Sequence, residues 1–210
     1  LALAAARPFA RPNLFLYLTF PYEAAPHRYD AYRRWGWDGH AAQILADAEY
    51  TAQRGEEFFQ RPVRVLPSGT DPDRFYPDAA KRAAARQELG LREYEIVLLN
   101  VAALEERKGA WRVLDALPQI LATCPNVRYL ILGEGAHKAQ LQKRADELGL
   151  HDTVIFAGTT NDLPRYYNAA DIFVLLSDAE AGSVACLEAM ASGLPVVVSS
   201  AGGFAEVVND

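Results

Sequence analysis

Two carboxylates and a Gly-Ser step near the end of the chain have the types and spacing to do chemistry. The segment Glu180-Ala181-Gly182-Ser183-Val184-Ala185-Cys186-Leu187-Glu188 sets seven residues between its two glutamates and runs on into Ala-Met-Ala-Ser-Gly-Leu-Pro-Val-Val-Val. The apolar run Ile172 to Leu176 before it reads as a strand. That places Glu180 in a strand-to-helix loop, opens a helix near Gly182 and Ser183, and sets Glu188 in its second turn. The first N–H groups of a helix have no partner within it and sit at the positive end of its dipole, so they hold an anion. A carboxylate only accepts hydrogen bonds and suits vicinal hydroxyls. Together these groups suit a ligand with both phosphates and a polyol, which is the chemistry of a nucleotide sugar.

The elements that must position these residues alternate regularly. Ile96 to Val101, Val127 to Leu132, Val154 to Phe156, Ile172 to Leu176 and Pro195 to Val198 read as strands. Helices are expected near Gly109 to Thr123, Ala136 to Leu148, Asp162 to Asn168 and Gly182 to Ser192. Short apolar runs without alternation belong to strands buried on both faces, and the β-α-β succession implies an α/β fold with a doubly wound parallel sheet. Ligands of such sheets bind at the carboxyl ends of the strands, where the candidate residues fall. Upstream, Leu14 to Phe20 and Val63 to Leu66 read as strands and Ala48 to Phe59 as a helix.

The segment from Glu180 resembles the Glu-x7-Glu signature of retaining glycosyltransferases of family four, which have the GT-B fold. Glu180, Glu188, Ala189, Met190, Ala191, Gly193, Pro195 and Val196 stand in register with it, while Ala181, Gly182 and Ser183 replace the family's Gly, Phe and Gly. A second stretch, Leu104-Glu105-Glu106-Arg107-Lys108-Gly109, resembles the family's Gly-Arg-Leu-x-x-x-Lys-Gly loop. Lys108 matches its Lys, but Ala103 stands where the Arg is expected and Ala102 where the Gly is. Pro67 to Phe75 resembles the segment that joins the two GT-B domains. The resemblance covers roughly residues 46 to 210.

It implies a Rossmann-like donor-binding half plus a remnant of the other domain: 1–66 as the end of the N-terminal acceptor domain, 67–78 as connector and 79–210 as the nucleotide-sugar domain, truncated at its end. It implies that Lys108 and Glu180 are catalytic, Lys108 neutralising the departing diphosphate and Glu180 touching the transferred sugar. Ala103, Lys108, Gly133, Gly135, Gly182, Ser183, Val184 and Glu188 would contact the donor, with Glu188 accepting from the ribose hydroxyls. The expected reaction moves a sugar from a nucleoside diphosphate sugar to a hydroxyl acceptor with retention. The acceptor is a glycan, lipid or small molecule. Electrostatics carry the step, so no metal and no other cofactor is expected. The missing Arg and the altered 181–183 loop motivate the alternative of a catalytically degenerate homologue that binds nucleotide or glycan in support of a partner.

Each signal has a plainer reading. Lys108 alone would be a solvated surface lysine, and the glycine and helix behind it favour the phosphate role. Arg107 would point elsewhere. Glu188 is bracketed by Leu187, Ala189 and Met190, residues of a buried face, which sets it apart from an exposed helix charge. Gly133-Glu134-Gly135 fits a simple strand-to-helix turn as well as a nucleotide contact, and Lys138 stands where a dinucleotide fingerprint needs its third glycine. The Phe156-Ala157-Gly158-Thr159 step is assigned to the border of the base. Asp71-Pro72-Asp73 is turn chemistry rather than a metal site. His27, His40, His137 and His151 have no ligand spacing. Tyr29, Tyr32, Trp35 and Trp37 are read as packing on the missing domain.

Bulk properties agree. Half of the 210 residues are apolar, enough for a core. A net charge of -6 without a basic run argues against nucleic-acid binding. Cys124 and Cys186 have no metal or disulfide spacing, which fits a reducing compartment. No apolar run reaches bilayer length. The expected location is cytoplasmic, with peripheral contact to the inner face of a membrane open to the missing domain. The opening Leu-Ala-Leu-Ala-Ala-Ala-Arg-Pro and the closing Glu206 to Asp210 read as cut edges of an internal fragment, inactive by itself.

Overall fold

The computed structural model describes residues 15–20 and 25–208. The expectations for the opening eight residues, for Leu14 and for the last two residues lie outside them. The described residues divide into two compact units. One holds those up to Ser68 together with Ala179–Gly182 and 201–208, and the other is Gly69–Asp178 with Ser183–Ser200.

In the first unit β1 (Phe15–Leu18), β2 (Gln43–Ala46) and β3 (Val63–Val65) form a parallel sheet in that order. Helices α1 (Pro26–Arg34), α2 (Trp37–His40) and α3 (Glu49–Phe59) connect them. Leu18, Tyr29, Ile44 and Phe59 build the core, with Tyr29 stacked on Phe59 at 5.5 Å. Tyr29 is therefore an internal residue of this unit, and Tyr32 stacks on Trp37, whereas Trp35 is 61% exposed. The sequence reading missed β2, a strand of only four residues. No local side chain caps α3, whose N-cap is Ala48. The Glu206 carboxylate does so instead, accepting from the Glu49 and Tyr50 amides at 2.7 and 2.8 Å.

The second unit is a three-layer α/β fold. Its five-stranded parallel sheet has the order β6-β5-β4-β7-β8, with β4 Ile96–Val101, β5 Val127–Leu132, β6 Val154–Gly158, β7 Ile172–Leu175 and β8 Val196–Val198. The helices are α4 (Ala79–Glu88), α5 (Ala110–Thr123), α6 (Lys138–Glu147), α7 (Leu163–Ala169) and α8 (Val184–Ala191), and α9 (Phe204–Val207) follows in the first unit. β4 and β5 span the residues expected of them, and the other strands agree within two residues. Leu99, Leu130, Ile131 and Phe173 are wholly buried, as strands covered on both faces require. The strand order turns back between β4 and β7, and a doubly wound sheet has its crevice at that switch point.

Helix α4 was not expected, although Asp78 caps it by accepting from the Lys81 amide at 3.0 Å, a start signal present in the sequence. The helix carries Arg86, a guanidinium only 2% exposed. Arg86 donates to the carbonyls of Ala169 (2.9 Å) and Arg92 (2.7 Å) and pairs with Asp171 at 3.3 Å. Asp171 also accepts from the Val97 amide (2.8 Å) and from Arg82 (2.7 Å), so one carboxylate ties α4 to the starts of β4 and β7. Arg86→Met should lower stability by about 3 kcal/mol, because the carbonyls and Asp171 lose a buried donor. Chemical denaturation of the variant beside the parent measures it.

Candidate active site

In the second unit, the loops after β4, β5, β6 and β7 lie side by side at the carboxyl edge of the sheet. The loop after β4 falls into a 3₁₀ turn, Glu106–Lys108, ended by Gly109 at φ 68°. A side chain at Gly109 would strike the Leu176 carbonyl oxygen. The Arg107 carbonyl accepts from the Asp178 amide (2.7 Å), and Arg112 reaches the Leu176 carbonyl (2.9 Å). The segment that carries Lys108 is thus pinned to the loop that follows β7, on the two sides of the switch point. Lys108 is half-buried. Arg107 pairs with Glu105, its Nε 2.8 Å from the carboxylate.

Gly133 and Gly135 are explained first by packing. Gly133 has φ 146°, and a Cβ there would overlap the Ala102 carbonyl oxygen; one at Gly135 would meet the Leu104 backbone. Leu104 donates to the Glu134 carbonyl (2.9 Å), His137 donates to that of Leu104 (2.9 Å), and Gly133 donates to that of Gly158 (2.7 Å). Between these loops opens a cavity of about 420 Å³, lined by Val101–Ala103, Leu132–Glu134, Gly158–Thr160 and Leu163. Ala103, an exposed residue, therefore shares one cavity with Gly133 and with the end of β6. Its volume lies in the range of small-molecule sites.

Ser183 is the N-cap of α8 and accepts from the Cys186 amide at 3.4 Å with its own hydroxyl. The Cys186 and Leu187 amides both donate to the Ser183 carbonyl, and the amides of the helix start before them are those of Val184 and Ala185. Glu188 is half-buried one turn further on. The Tyr167 hydroxyl donates to it at 2.8 Å, with the Ala185 carbonyl 3.1 Å from the same hydroxyl. Burial raises the Glu188 pKa above its ordinary value, opposed by the Tyr167 hydrogen bond and by Arg74. Tyr167 is itself buried, which raises its phenol well beyond the usual range, with the Glu188 charge adding to the shift. Met190 corrects the expected buried face: it is 42% exposed, while Ala189 is buried and Leu187 half-buried.

Glu180 and Gly182 belong to the first unit. Glu180 is 8% exposed, its carbonyl accepts from the Gly203 amide (3.0 Å), and Gly182 lies against Asp47. Asp71 makes the expected turn, accepting from the Asp73 amide at 3.0 Å. Among the described residues no group of three or more acidic, His or Cys side chains is placed to hold a metal ion. No helix among them is long and apolar enough to cross a membrane. Tyr167 had no signal in the sequence, since only the fold brings it to Glu188.

The profile of the family "Glycosyl transferases group 1" matches residues 81–210, more than half of the chain. The chain belongs to this family. Among group 1 relatives, a GDP-mannose-dependent alpha-(1-6)-phosphatidylinositol monomannoside mannosyltransferase of Mycolicibacterium smegmatis is 32% identical over 86% of this chain and 49% of its own length. The D-inositol 3-phosphate glycosyltransferase of Segniliparus rotundus is 34% identical over 70% of this chain and 34% of its own. The Anabaena protein HepE, solved in complex with UDP, superposes with a TM-score of 0.82 at 25% identity over 99% of this chain and 58% of its own. The chain spans about half the length of the curated relatives it matches. The parallel sheets match GT-B glycosyltransferase structures, which is the fold that the two signatures implied.

Glu188 gives the site a pH signature. Its folded pKa is raised, so the native state holds the proton more tightly than the unfolded chain and stability rises as pH falls through the folded pKa toward the unfolded value. Glu188→Gln should flatten that rise and leave stability at pH 7 equal to or above the parent's, as thermal unfolding between pH 4 and 8 will read.

Proposed function

We propose that the protein of which this chain forms part transfers a sugar from a nucleoside diphosphate sugar to a hydroxyl acceptor, with retention at the anomeric carbon. The observation that carries this reading is the half-buried Glu188 carboxylate, held by Tyr167 on the helix opened by Ser183 and set within the family-matched residues. A desolvated acceptor that keeps a hydroxyl donor beside it suits the paired hydroxyls of a ribose. The Val184 and Ala185 amides and the Lys108 ammonium supply positive potential for a diphosphate. Gly133, Gly135 and the cavity beside Ala103 and Thr159 would take the nucleotide. Glu180 and Gly182 would meet the transferred sugar.

The mechanism needs positive charge where the leaving diphosphate forms. Lys108 and the helix start provide it, and no metal enters the step. Relatives named as GDP-mannose-dependent and a neighbour solved with UDP support a nucleoside diphosphate donor without fixing its base. A glycan, lipid or small-molecule acceptor, a cytoplasmic location with peripheral membrane contact, and the domain division 1–66, 67–78 and 79–210 belong to the same proposal. Transfer assays on the complete gene product with UDP, GDP and ADP sugars, read by NMR at the anomeric carbon, test it. Binding without turnover across the panel would favour the degenerate alternative. That alternative is motivated by Ala103, an exposed alanine at the cavity, and by Arg107, which is turned to Glu105.

Ala103→Arg should restore a charge-assisted contact to the diphosphate. The variant is expected to bind nucleoside diphosphates about tenfold more tightly, the equivalent of about 1.4 kcal/mol, by calorimetry. Unchanged affinity would mean that residue 103 does not face the phosphates.

A further inference from the structure

Asp47 stands at the carboxyl end of β2, in the first unit, and is only 6% exposed. Its Oδ1 finds no hydrogen-bond partner among the described residues. Burial raises its pKa; the Gly182 amide and the nearby Thr51 hydroxyl oppose the shift, and the Glu180 carboxylate adds to it. Gly182 packs directly on it. A Cβ at Gly182 would stand 3.3 Å from the Asp47 carbonyl oxygen and 3.8 Å from its Cβ and Cγ.

The same short segment is gripped from its other side. Gly203 donates to the Glu180 carbonyl at 3.0 Å, and side chains at Gly202 or Gly203 would collide with the carbonyl oxygens of Glu180 and Ala181. The backbone of Glu180 and Ala181 is therefore set by Gly202 and Gly203, and that of Gly182 by Asp47. A buried carboxyl with an unmatched oxygen is an expensive filler, since an apolar residue of similar volume would avoid the desolvation. Stability alone does not account for it.

We infer that Asp47 is a positioning residue for the Glu180–Gly182 turn, fixing how Glu180 meets the transferred sugar and so which sugar the protein accepts. The inference rests on the reading of Glu180 as the sugar contact. Asp47 packs on Gly182 at the turn, while the amides assigned to the diphosphate belong to the helix capped by Ser183 itself, and Lys108 and the ribose-binding Glu188 stand further off in the sequence. Its loss should therefore separate sugar recognition from nucleotide recognition, which a merely structural residue would not do.

Calorimetry on the complete gene product, with nucleoside diphosphates and their sugars, tests this. In Asp47→Ala the affinity for the preferred nucleoside diphosphate should stay within about twofold of the parent, while the preference among its epimeric sugars falls about fivefold, the scale of one net hydrogen bond. Asp47→Asn keeps an acceptor oxygen for the Gly182 amide and should recover most of that preference. Should the alanine variant fail to fold, Asp47→Leu fills the volume without a buried charge and carries the same comparison. An unchanged sugar preference, or equal loss of nucleotide and nucleotide sugar, overturns the role of Asp47 and leaves the proposed function standing. A parent protein that binds no nucleotide sugar overturns both.

Discussion

The second unit depends on how closely its backbone loops approach one another at the carboxyl edge of the sheet. The carbonyl oxygens of Ala102 and Leu176 occupy the space that side chains would need at Gly133 and Gly109. Two loops can lie that near only where the Cβ is missing and the backbone turns to positive φ. The consequence is a rigid rim: the turn with Lys108 is held to the loop after β7, and the Leu104 loop is held to the turn after β5. The cavity beside this rim is lined largely by apolar and small residues, among them Val101, Ala102, Leu132, Gly133, Gly158 and Leu163.

Beneath the rim, polar groups buried in pairs do the anchoring. Asp171 serves two arginines and the Val97 amide, and Tyr167 serves Glu188. In each case a carboxylate taken partly out of water is matched by donors from elements distant in sequence. Such arrangements contribute modest net stability, but losing one member leaves the others stranded. They therefore specify the packing more than they strengthen it.

Much of the second unit was legible in the sequence because its strands are short, wholly apolar runs separated by helices of ordinary length. Ile96 to Val101 and Val127 to Leu132 leave little choice of period. Lys108, Glu180 and Glu188 could be singled out because residue type and spacing repeat a family pattern. What escaped was long-range. Arg86 looks like any charge on a polar helix until β4 and β7 close around it. Tyr167 is one of two adjacent tyrosines, and only the fold decides which of them turns inward. Asp47 follows a strand of four residues that local pattern does not distinguish from a loop. Met190 was misplaced because family register says which residues match, while exposure depends on which face of an eight-residue helix meets the sheet.

The cap on α3 has a temporal meaning. Its first amides are satisfied by a carboxylate more than 150 positions further along the chain, because Ala48 offers no oxygen of its own. On a ribosome, the beginning of the first unit emerges long before Glu206 does. Until then those amides have only water to serve them. A unit whose helix cap comes from so much later in the sequence matures late, and its early strands need protection in the interval.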